Sequence, residues 1–212
     1  MIVAIASSEG RFLKLLLTAN LAVLRARHGH EICLIDTDPC KTLFTWACDR
    51  SSAGQAPSVT VRSLTDRLLT HELDKLCPVY GDLLINTGEQ DQQETLWALI
   101  AARVVIVPVT VDQVDLDTQY SLIARLNSAR MFNPALKVLF VFVADGVAPS
   151  ADQLAAVRLY VAHVMSATLA TTVLHVHGTY DYGLGRCICD AETCDPEIAA
   201  ELHSLYREVY LH

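Results

Sequence analysis

Short apolar segments alternate with longer helical segments along the whole chain, and this alternation limits the possible folds more than any other feature. Val104–Val109 is continuously apolar, as expected of a strand that is covered on both faces. Strands that are each followed by a helix form a parallel sheet with helices packed on both sides. The pattern therefore predicts an α/β fold, a doubly wound and mostly parallel sheet with helices on both faces, as one domain over residues 1–212.

The predicted elements follow one another with short connections and no internal repeat. Strands are predicted at residues 1–7, 31–35, 58–62, 82–86, 104–109, 137–143 and 172–175. Helices are predicted at residues 12–28, 42–48, 63–77, 92–102, 115–131, 150–166 and 196–210.

The composition describes a globular chain with an acidic balance. Its 212 residues are 52% hydrophobic and carry a formal net charge of −8. A chain of this size can bury a sizeable core, and its charge disfavours a surface that coats DNA or an anionic membrane. No apolar run approaches the roughly 20 residues of a membrane-spanning helix, and no secretory signal pattern is present. The seven cysteines, an odd number, favour reduced thiols, so we expect a cytoplasmic protein that contacts no membrane.

Motifs that could bind a ligand follow several of the predicted strands. Ligands of an open parallel sheet bind outside the carboxyl ends of the strands. The first strand leads into residues 9–16 (EGRFLKLL), and the helix that follows contains NLA at 20–22. The second strand ends in DTDPC at 36–40, and later strands lie in YGDLLINT at 80–87 and NPALKVLFVFV at 133–143.

In order and spacing these segments resemble the motifs of the ParA/MinD family of deviant Walker A ATPases, which position plasmids, chromosomes and cell machinery. In that family the first strand leads into KGGVGKTT, the next helix contains NLA, and the second strand ends in DxDPQ. The resemblance covers nearly the whole chain and implies a P-loop NTPase-like fold, a bacterial protein and a homodimer. It also implies a nucleotide site, whose candidate residues here are Gly10, Arg11, Lys14, Asp36, Asp38 and Asn86.

In the phosphate loop, two glycines and the hydroxyl that reaches Mg²⁺ are replaced. Gly10 and Lys14 match the family pattern, but Arg11 and Leu13 replace two glycines, and Leu15 replaces the hydroxyl that reaches Mg²⁺. Glycines let backbone N–H groups wrap around phosphates, so a leucine there would fill phosphate space or force a different backbone.

Three further substitutions change the charges around the implied nucleotide. Glu9 stands where the family has its signature lysine, which would turn attraction for a polyphosphate into repulsion of about 1–4 kcal/mol. Asn86 replaces a Mg²⁺-associated aspartate and is a weaker partner for a hard cation. Asp145 lies where similar proteins often carry an asparagine that reads adenine.

These losses predict a ParA-like pseudo-ATPase that needs no cofactor. It would be a non-catalytic partner or scaffold for proteins of plasmid or chromosome partition, conjugation or positioning of a cellular assembly. The alternative is an atypical ParA-type ATPase in which Lys14, Asp36 and Asp38 still bind Mg-ATP, with Asp38 as the catalytic candidate and slow hydrolysis. Lys14 is then a phosphate ligand at a helix N-terminus, beside Arg11, or a relic that extends to solvent. Asp36 and Asp38 are metal ligands or, the preferred interpretation without nucleotide, ordinary polar residues at a strand end.

A third interpretation concerns the cysteines near the C-terminus. Cys187, Cys189 and Cys194 follow His175 and His177 and include soft ligands that bind zinc. Their spacing lacks the paired C-x-x-C geometry of strong zinc motifs, which favours plain buried or surface thiols. A thiol- or zinc-dependent interaction module predicts stoichiometric metal in the purified protein.

Overall fold

Seven strands form one sheet in the computed structural model, which describes residues 1–7, 10–64, 69–88, 93–114, 116–177, 180, 182–190 and 195–211. Every pairing between these strands is parallel within the described residues. The strands are β1 (Ile2–Ile5), β2 (Ile32–Asp36), β3 (Thr60–Ser63), β4 (Asp82–Asn86), β5 (Val104–Val109), β6 (Lys137–Ala144) and β7 (Ala167–His175).

Helices cover both faces of the sheet and bury a separate core on each. One core is formed with α1, α2 and α7, and the other with α3, α4, α5 and α6. The predicted fold class, a doubly wound parallel α/β sheet, is therefore confirmed. The helices are α1 (Arg11–Arg27), α2 (Thr42–Ser52), α3 (Leu69–Leu76), α4 (Gln93–Ala101), α5 (Leu116–Phe132), α6 (Ala151–Val161) and α7 (Pro196–Tyr210).

The strand order β3-β2-β4-β1-β5-β6-β7 places β1 at the centre of the sheet, between β4 and β5. From β1 the chain forms β2 and β3 on one side of the sheet and returns with β4, which lies between β2 and β1. It then forms β5, β6 and β7 on the other side. Such a reversal opens a crevice at the carboxyl ends of the central strands. The register of β2 with β4 pairs Asp36 with Asn86, so these two candidate residues end their strands side by side.

The main difference from the predicted elements is the length of β7, which begins at Ala167 instead of residue 172. This strand lies at the edge of the sheet, so one side is exposed and its sequence carries threonines where a central strand would be apolar. The register with β6 shifts between Phe140 and Phe142, and the bulge that results adds residues to β7. The predicted helix at 63–77 is described from Leu69 to Leu76; its predicted first residue, Ser63, instead ends β3, and residues 65–68 lie outside the described part.

Within the described ranges, we find no helix that is both long and apolar enough to cross a bilayer.

Candidate functional site

The candidate site begins at the N-terminus of α1, directly beyond the central strand β1. Gly10 precedes the helix with φ 91°, in the left-handed region that favours glycine. The helix starts at Arg11, and the Lys14 N–H already donates to the Gly10 carbonyl at 3.1 Å. Residues 11–14 therefore form a helical turn, and a phosphate here would meet helix N-terminal N–H groups and the positive end of the helix dipole. Glu9, the predicted charge reversal, lies outside the described residues.

Lys14 is fully buried and faces the end of the sheet. Its side chain is 0% exposed, and Nζ donates a 2.8 Å hydrogen bond to the Thr87 carbonyl oxygen, just beyond β4. The interpretation of Lys14 as a relic that extends to solvent is therefore wrong. Burying a lysine amino group is costly unless it has polar partners, and the hydrogen bond to Thr87 holds Nζ at the strand ends.

Asp36 joins the ends of β2 and β4. Its carboxylate accepts hydrogen bonds from the Asn86 side chain at 3.0 Å and from the backbone N–H groups of Phe44 and Asp38 at 2.9 and 3.2 Å. Burial raises the pKa of Asp36, and these hydrogen bonds oppose the rise. Asp36 thus holds the start of α2 and the end of β4 in place.

Asp38 lies two residues further on and faces Arg11. Its Oδ1 accepts a hydrogen bond from the Cys40 N–H at 3.0 Å, and its Oδ2 lies 3.3 Å from Arg11 Nε. The Arg11 side chain is therefore turned into the site. The structure brings five of the six candidate residues to the carboxyl ends of β1, β2 and β4, and Gly10 shapes the turn beside them.

Three buried oxygen atoms at the carboxyl ends of these strands have no hydrogen-bond partner among the described residues: Ser7 Oγ, Asp38 Oδ2 and Asn86 Oδ1. Mg²⁺ takes oxygen ligands and is commonly held by one or two carboxylates together with waters and substrate phosphates. The oxygen donors present here fit a magnesium ion.

The leucines of the predicted phosphate loop pack inward. Leu13 and Leu15 are partly buried against the core beneath α1, α2 and α7. Leu15 has no oxygen to offer a metal, so a magnesium ion here depends on the residues that follow β1, β2 and β4.

Two cavities extend the site toward the ends of β5 and β6. One of ≈ 340 Å³ is lined by Asp112, Asp145 and Gln153, and one of ≈ 230 Å³ by Phe12, Leu13 and Asp145. Cavities of a few hundred cubic ångströms suit small ligands. The smaller cavity lies beside the first turn of α1, and Asp145 lines both cavities.

Sequence reasoning missed Arg50, which fastens the loop before α7. Its Nε donates to the Pro57 carbonyl, Nη1 to Gly185 O and Asp190 Oδ2, and Nη2 to Ala56 O and Asp190 Oδ1, with N···O distances of 2.8–3.0 Å. These contacts use all five N–H donors of a guanidinium that is 0% exposed. The signal was its helical spacing from Leu43, Trp46 and Ala47, which form the buried face of α2.

The NLA motif also acts on this loop. Asn20 Oδ1 accepts a 3.0 Å hydrogen bond from the Cys189 N–H, and Arg27 donates to the Cys189 carbonyl and to Asp190. Burial alone would raise the pKa of Asp190, but hydrogen bonds from Arg50 and the Cys187 N–H outweigh it and lower that pKa. The NLA motif of α1 therefore helps to position the loop before α7.

The cysteines of this loop do not gather metal ligands in the described part of the chain. Cys187 and Cys189 are buried, and no group of three or more His, Cys, Asp or Glu side chains suited to a metal occurs among the described residues. Burial, with repulsion from Asp190, raises the pKa of Cys187 and disfavours the thiolate that zinc requires. Cys194 lies outside the described residues, and the zinc interpretation stays a prediction.

No protein-family model matches the sequence, and no curated protein matches it either. The structure nevertheless has a known fold: its all-parallel sheet with helices on both faces is similar to solved structures of the ParA/MinD type, such as the MinD cell division protein of Aquifex aeolicus.

The MinC:MinD cell division protein complex of Aquifex aeolicus is similar over 100% of this chain and 96% of its own, with 15% identity and a TM-score of 0.69. A putative plasmid partition protein of Borrelia burgdorferi B31 bound to AMPPNP is similar over 99% and 97%, with 12% identity and a TM-score of 0.65. Cobyrinic acid a,c-diamide synthase of Mycobacterium smegmatis, with ADP and magnesium, is similar over 100% and 96%, with 16% identity and a TM-score of 0.66. At these identities the similarity establishes the fold.

The comparison corrects the expectation that the chain takes no cofactor. Similar structures hold ADP with magnesium, an ATP analogue with magnesium, and AMPPNP, so the fold points to nucleotide and magnesium rather than to none. The expectation rested on the substituted residues of the motifs, and it did not include the unpartnered oxygens that the strand ends supply.

Proposed function

We propose that this chain is an atypical ParA-type ATPase that binds a magnesium nucleotide weakly, hydrolyses it slowly, and acts through protein partners. Its processes would be plasmid or chromosome partition, conjugation, or the positioning of a cellular assembly. The observation that carries the proposal is the set of buried oxygens of Ser7, Asp38 and Asn86, which lack hydrogen-bond partners among the described residues. Buried polar atoms without partners are uncommon, and a ligand is one of their explanations.

The residues of the site divide the work of binding. The buried Lys14 ammonium and the N-terminus of α1 attract the phosphates, and Asp38 and Asn86 provide oxygens for magnesium. Asp36 orients Asn86 through its hydrogen bond and holds α2 against the site. Bound magnesium would neutralise part of the phosphate charge and polarise the oxygens around phosphorus.

Weak binding and slow hydrolysis follow from what the site lacks. A hydroxyl at position 15 is replaced by leucine, and residues 11–14 form a helical turn in which the Lys14 N–H is already bonded. Fewer N–H groups therefore reach the phosphates than in a glycine-rich loop. In the family each lost contact would have stabilised the phosphoryl-transfer transition state.

A second candidate is a non-catalytic binding partner in the same processes, and the packed Leu15 favours it. With no hydroxyl there to complete a magnesium shell, nucleotide would bind without being turned over. In both cases we propose protein contacts as the source of homodimerisation, since Glu9 stands where the family has its signature lysine.

The proposal is tested by isothermal titration of the purified protein with ATP and ADP, with and without Mg²⁺, while light scattering reads the oligomeric state. We expect Mg²⁺-dependent binding that Lys14→Met weakens about tenfold or more, the value of a charge-assisted hydrogen bond. Lys75→Met is the matched control, because Lys75 is exposed and pairs with Glu72 on α3.

The outcomes separate the two candidates. Binding with measurable phosphate release supports the slow ATPase, and binding without release supports the non-catalytic partner. An absence of heat up to millimolar nucleotide, in a protein that melts cooperatively, would reject nucleotide binding and both forms of the proposal.

A further inference from the structure

Arg11 already occupies the position of a cation at Asp38. Its Nε lies 3.3 Å from Asp38 Oδ2, and the two side chains differ sharply in exposure, 46% for Arg11 and 3% for Asp38. Oδ2 is one of the oxygens without a hydrogen-bond partner among the described residues, so its contact with Arg11 is an ion pair. A half-exposed arginine can be withdrawn into solvent, whereas the buried carboxylate has no such freedom.

The orientation of Asp38 is fixed by the surrounding backbone. Its Oδ1 accepts from the Cys40 N–H at 3.0 Å, and its own N–H donates to Asp36 Oδ1 at 3.2 Å. Asp36 is held in turn by Asn86 and by the Phe44 N–H. Oδ2 therefore keeps its direction toward the N-terminus of α1 whether or not Arg11 is there.

A divalent cation and the Arg11 guanidinium compete for this oxygen. Two cations held within a few ångströms of each other at a protein surface repel by several kcal/mol. A metal ion that arrives alone must therefore displace Arg11 without offering it another anion. A polyphosphate changes the balance, because a guanidinium on the first turn of α1 binds phosphate oxygens with paired hydrogen bonds.

We infer that Arg11 blocks the binding of other cations to Asp38, so that the site binds a divalent cation only together with a polyphosphate that draws the Arg11 side chain away. This inference rests on the proposed magnesium-nucleotide site and adds an order to its loading. Arg11 is then a positioning residue: it leaves the carboxylate and meets the phosphates, in place of the glycine that the family pattern has there.

The test uses Mn²⁺ as the metal and the relaxation rate of water protons, which rises when Mn²⁺ binds the protein. Without nucleotide, we expect Arg11→Gln to bind Mn²⁺ about tenfold or more tightly than the native chain. Arg11→Lys keeps the charge and should stay close to native. Arg103→Gln is the control for a change of net charge, because Arg103 is exposed and precedes β5, at the opposite end of the strand from the carboxyl ends that form the site.

A double variant tests whether the metal binds at Asp38. Adding Asp38→Asn to Arg11→Gln should abolish the gain in Mn²⁺ affinity, and thermal melting checks that each variant folds. With inorganic tripolyphosphate present, the native chain should take up Mn²⁺ and the difference between native and Arg11→Gln protein should shrink.

Two results would overturn the inference. One is equal Mn²⁺ binding by the native and Arg11→Gln chains without nucleotide, including no binding by either. The other is a gain that survives Asp38→Asn, which would place the metal elsewhere. Failure of the proposed function has a different signature, the absence of Mg-ATP binding heat in the native chain, and the nucleotide-free Mn²⁺ comparison stays readable in that case.

Discussion

At the scale of single residues, Arg50 connects α2 to the loop before α7 through its guanidinium group. All five of its N–H donors are used, and Asp190 supplies the neutralising charge. Removing one partner of a buried ion pair leaves an uncompensated charge and breaks the hydrogen bonds around it. The loop before α7 therefore depends on one side chain of α2.

We expect Arg50→Met to lower the free energy of unfolding by about 3–5 kcal/mol. Urea denaturation followed by circular dichroism measures this. Arg158→Met is the matched control, since Arg158 lies on the exposed face of α6 and should change stability by at most about 0.5 kcal/mol. A loss below about 1 kcal/mol for Arg50→Met would contradict the role given to the ion pair.

Gly185 makes the closest backbone approach to Arg50. A Cβ added at Gly185 would lie 2.2 Å from the Arg50 backbone N and Cα, and the residue has φ +68°. Gly54 has nearly the same φ, +67°, but open space around the added atom. The two glycines thus separate the steric clash from the cost of a left-handed backbone.

Gly54→Ala should cost about 1–2 kcal/mol, the backbone penalty alone. Gly185→Ala should cost at least about 2 kcal/mol more, because backbone atoms cannot move aside as a flexible side chain can. Thermal melting of the two variants side by side measures the difference. Equal losses would show that the loop gives way without cost.

The residues of the site were predictable to unequal degrees. Asp36 and Asp38 could be placed at a strand end because the DTDPC motif follows an apolar run. The burial of Lys14 and the ion pair of Arg11 could not, because both depend on the carbonyl of Thr87 and the carboxylate of Asp38 reaching them across the sheet. A motif gives spacing along the chain, and these contacts join residues far apart in it.

At the scale of elements, α7 protects the outer edge of the sheet through Glu208. Its carboxylate accepts hydrogen bonds from the backbone N–H groups and hydroxyls of Thr171 and Thr172, in the bulged part of β7. The bulge removes these N–H groups from the ladder with β6, and the glutamate replaces the lost partners. Burial alone would raise the pKa of Glu208, but these hydrogen bonds outweigh it and lower that pKa.

A lowered pKa in the folded state means that Glu208 stabilises the protein above the ordinary glutamate pKa of about 4.3 and stops doing so as pH falls through its folded value. We expect Glu208→Gln to cost about 1 kcal/mol at pH 7, a figure reduced for solvent screening. The difference from the native chain should narrow below about pH 4. Urea unfolding across this pH range tests it, with Glu31→Gln, at an exposed position before β2, as the control. A difference that does not change with pH would contradict the charged role.

The bounds of helices and strands were predicted closely where the sequence carries clear capping and burial signals. The final helix was predicted at residues 196–210 and is found at Pro196–Tyr210, because Asp195 caps its N-terminus and proline occupies the first turn. The edge strand β7 was predicted at less than half its length, because its threonines are selected by an exposed edge and by Glu208. The length of such a strand depends on its position in the sheet, and that position is set only when the chain folds.

At the scale of the whole molecule, the site is assembled from loops of several strands, so one loop can be altered without unfolding the rest. We expect the triple variant Arg11→Gly, Leu13→Gly, Leu15→Thr to bind Mg-ATP about tenfold or more tightly than the native chain, through restored backbone and hydroxyl contacts. Isothermal titration measures the gain, and Arg11→Gln alone controls for the lost charge. No gain in a folded triple variant would mean that the strand ends of β2 and β4 no longer accept nucleotide.

The pairing of Arg50 with Asp190 has a consequence for how the protein is made. The two residues are 140 positions apart in the chain. Ribosomes add about 5–20 residues each second, so α2 emerges roughly 7–28 seconds before the carboxylate that will neutralise its arginine. Until then the Arg50 guanidinium stays in contact with water, because no carboxylate is present to neutralise it. The face of α2 that carries Arg50 therefore cannot take up its final packing. The final packing of α2 therefore has to wait until the segment that carries Asp190 has been synthesised.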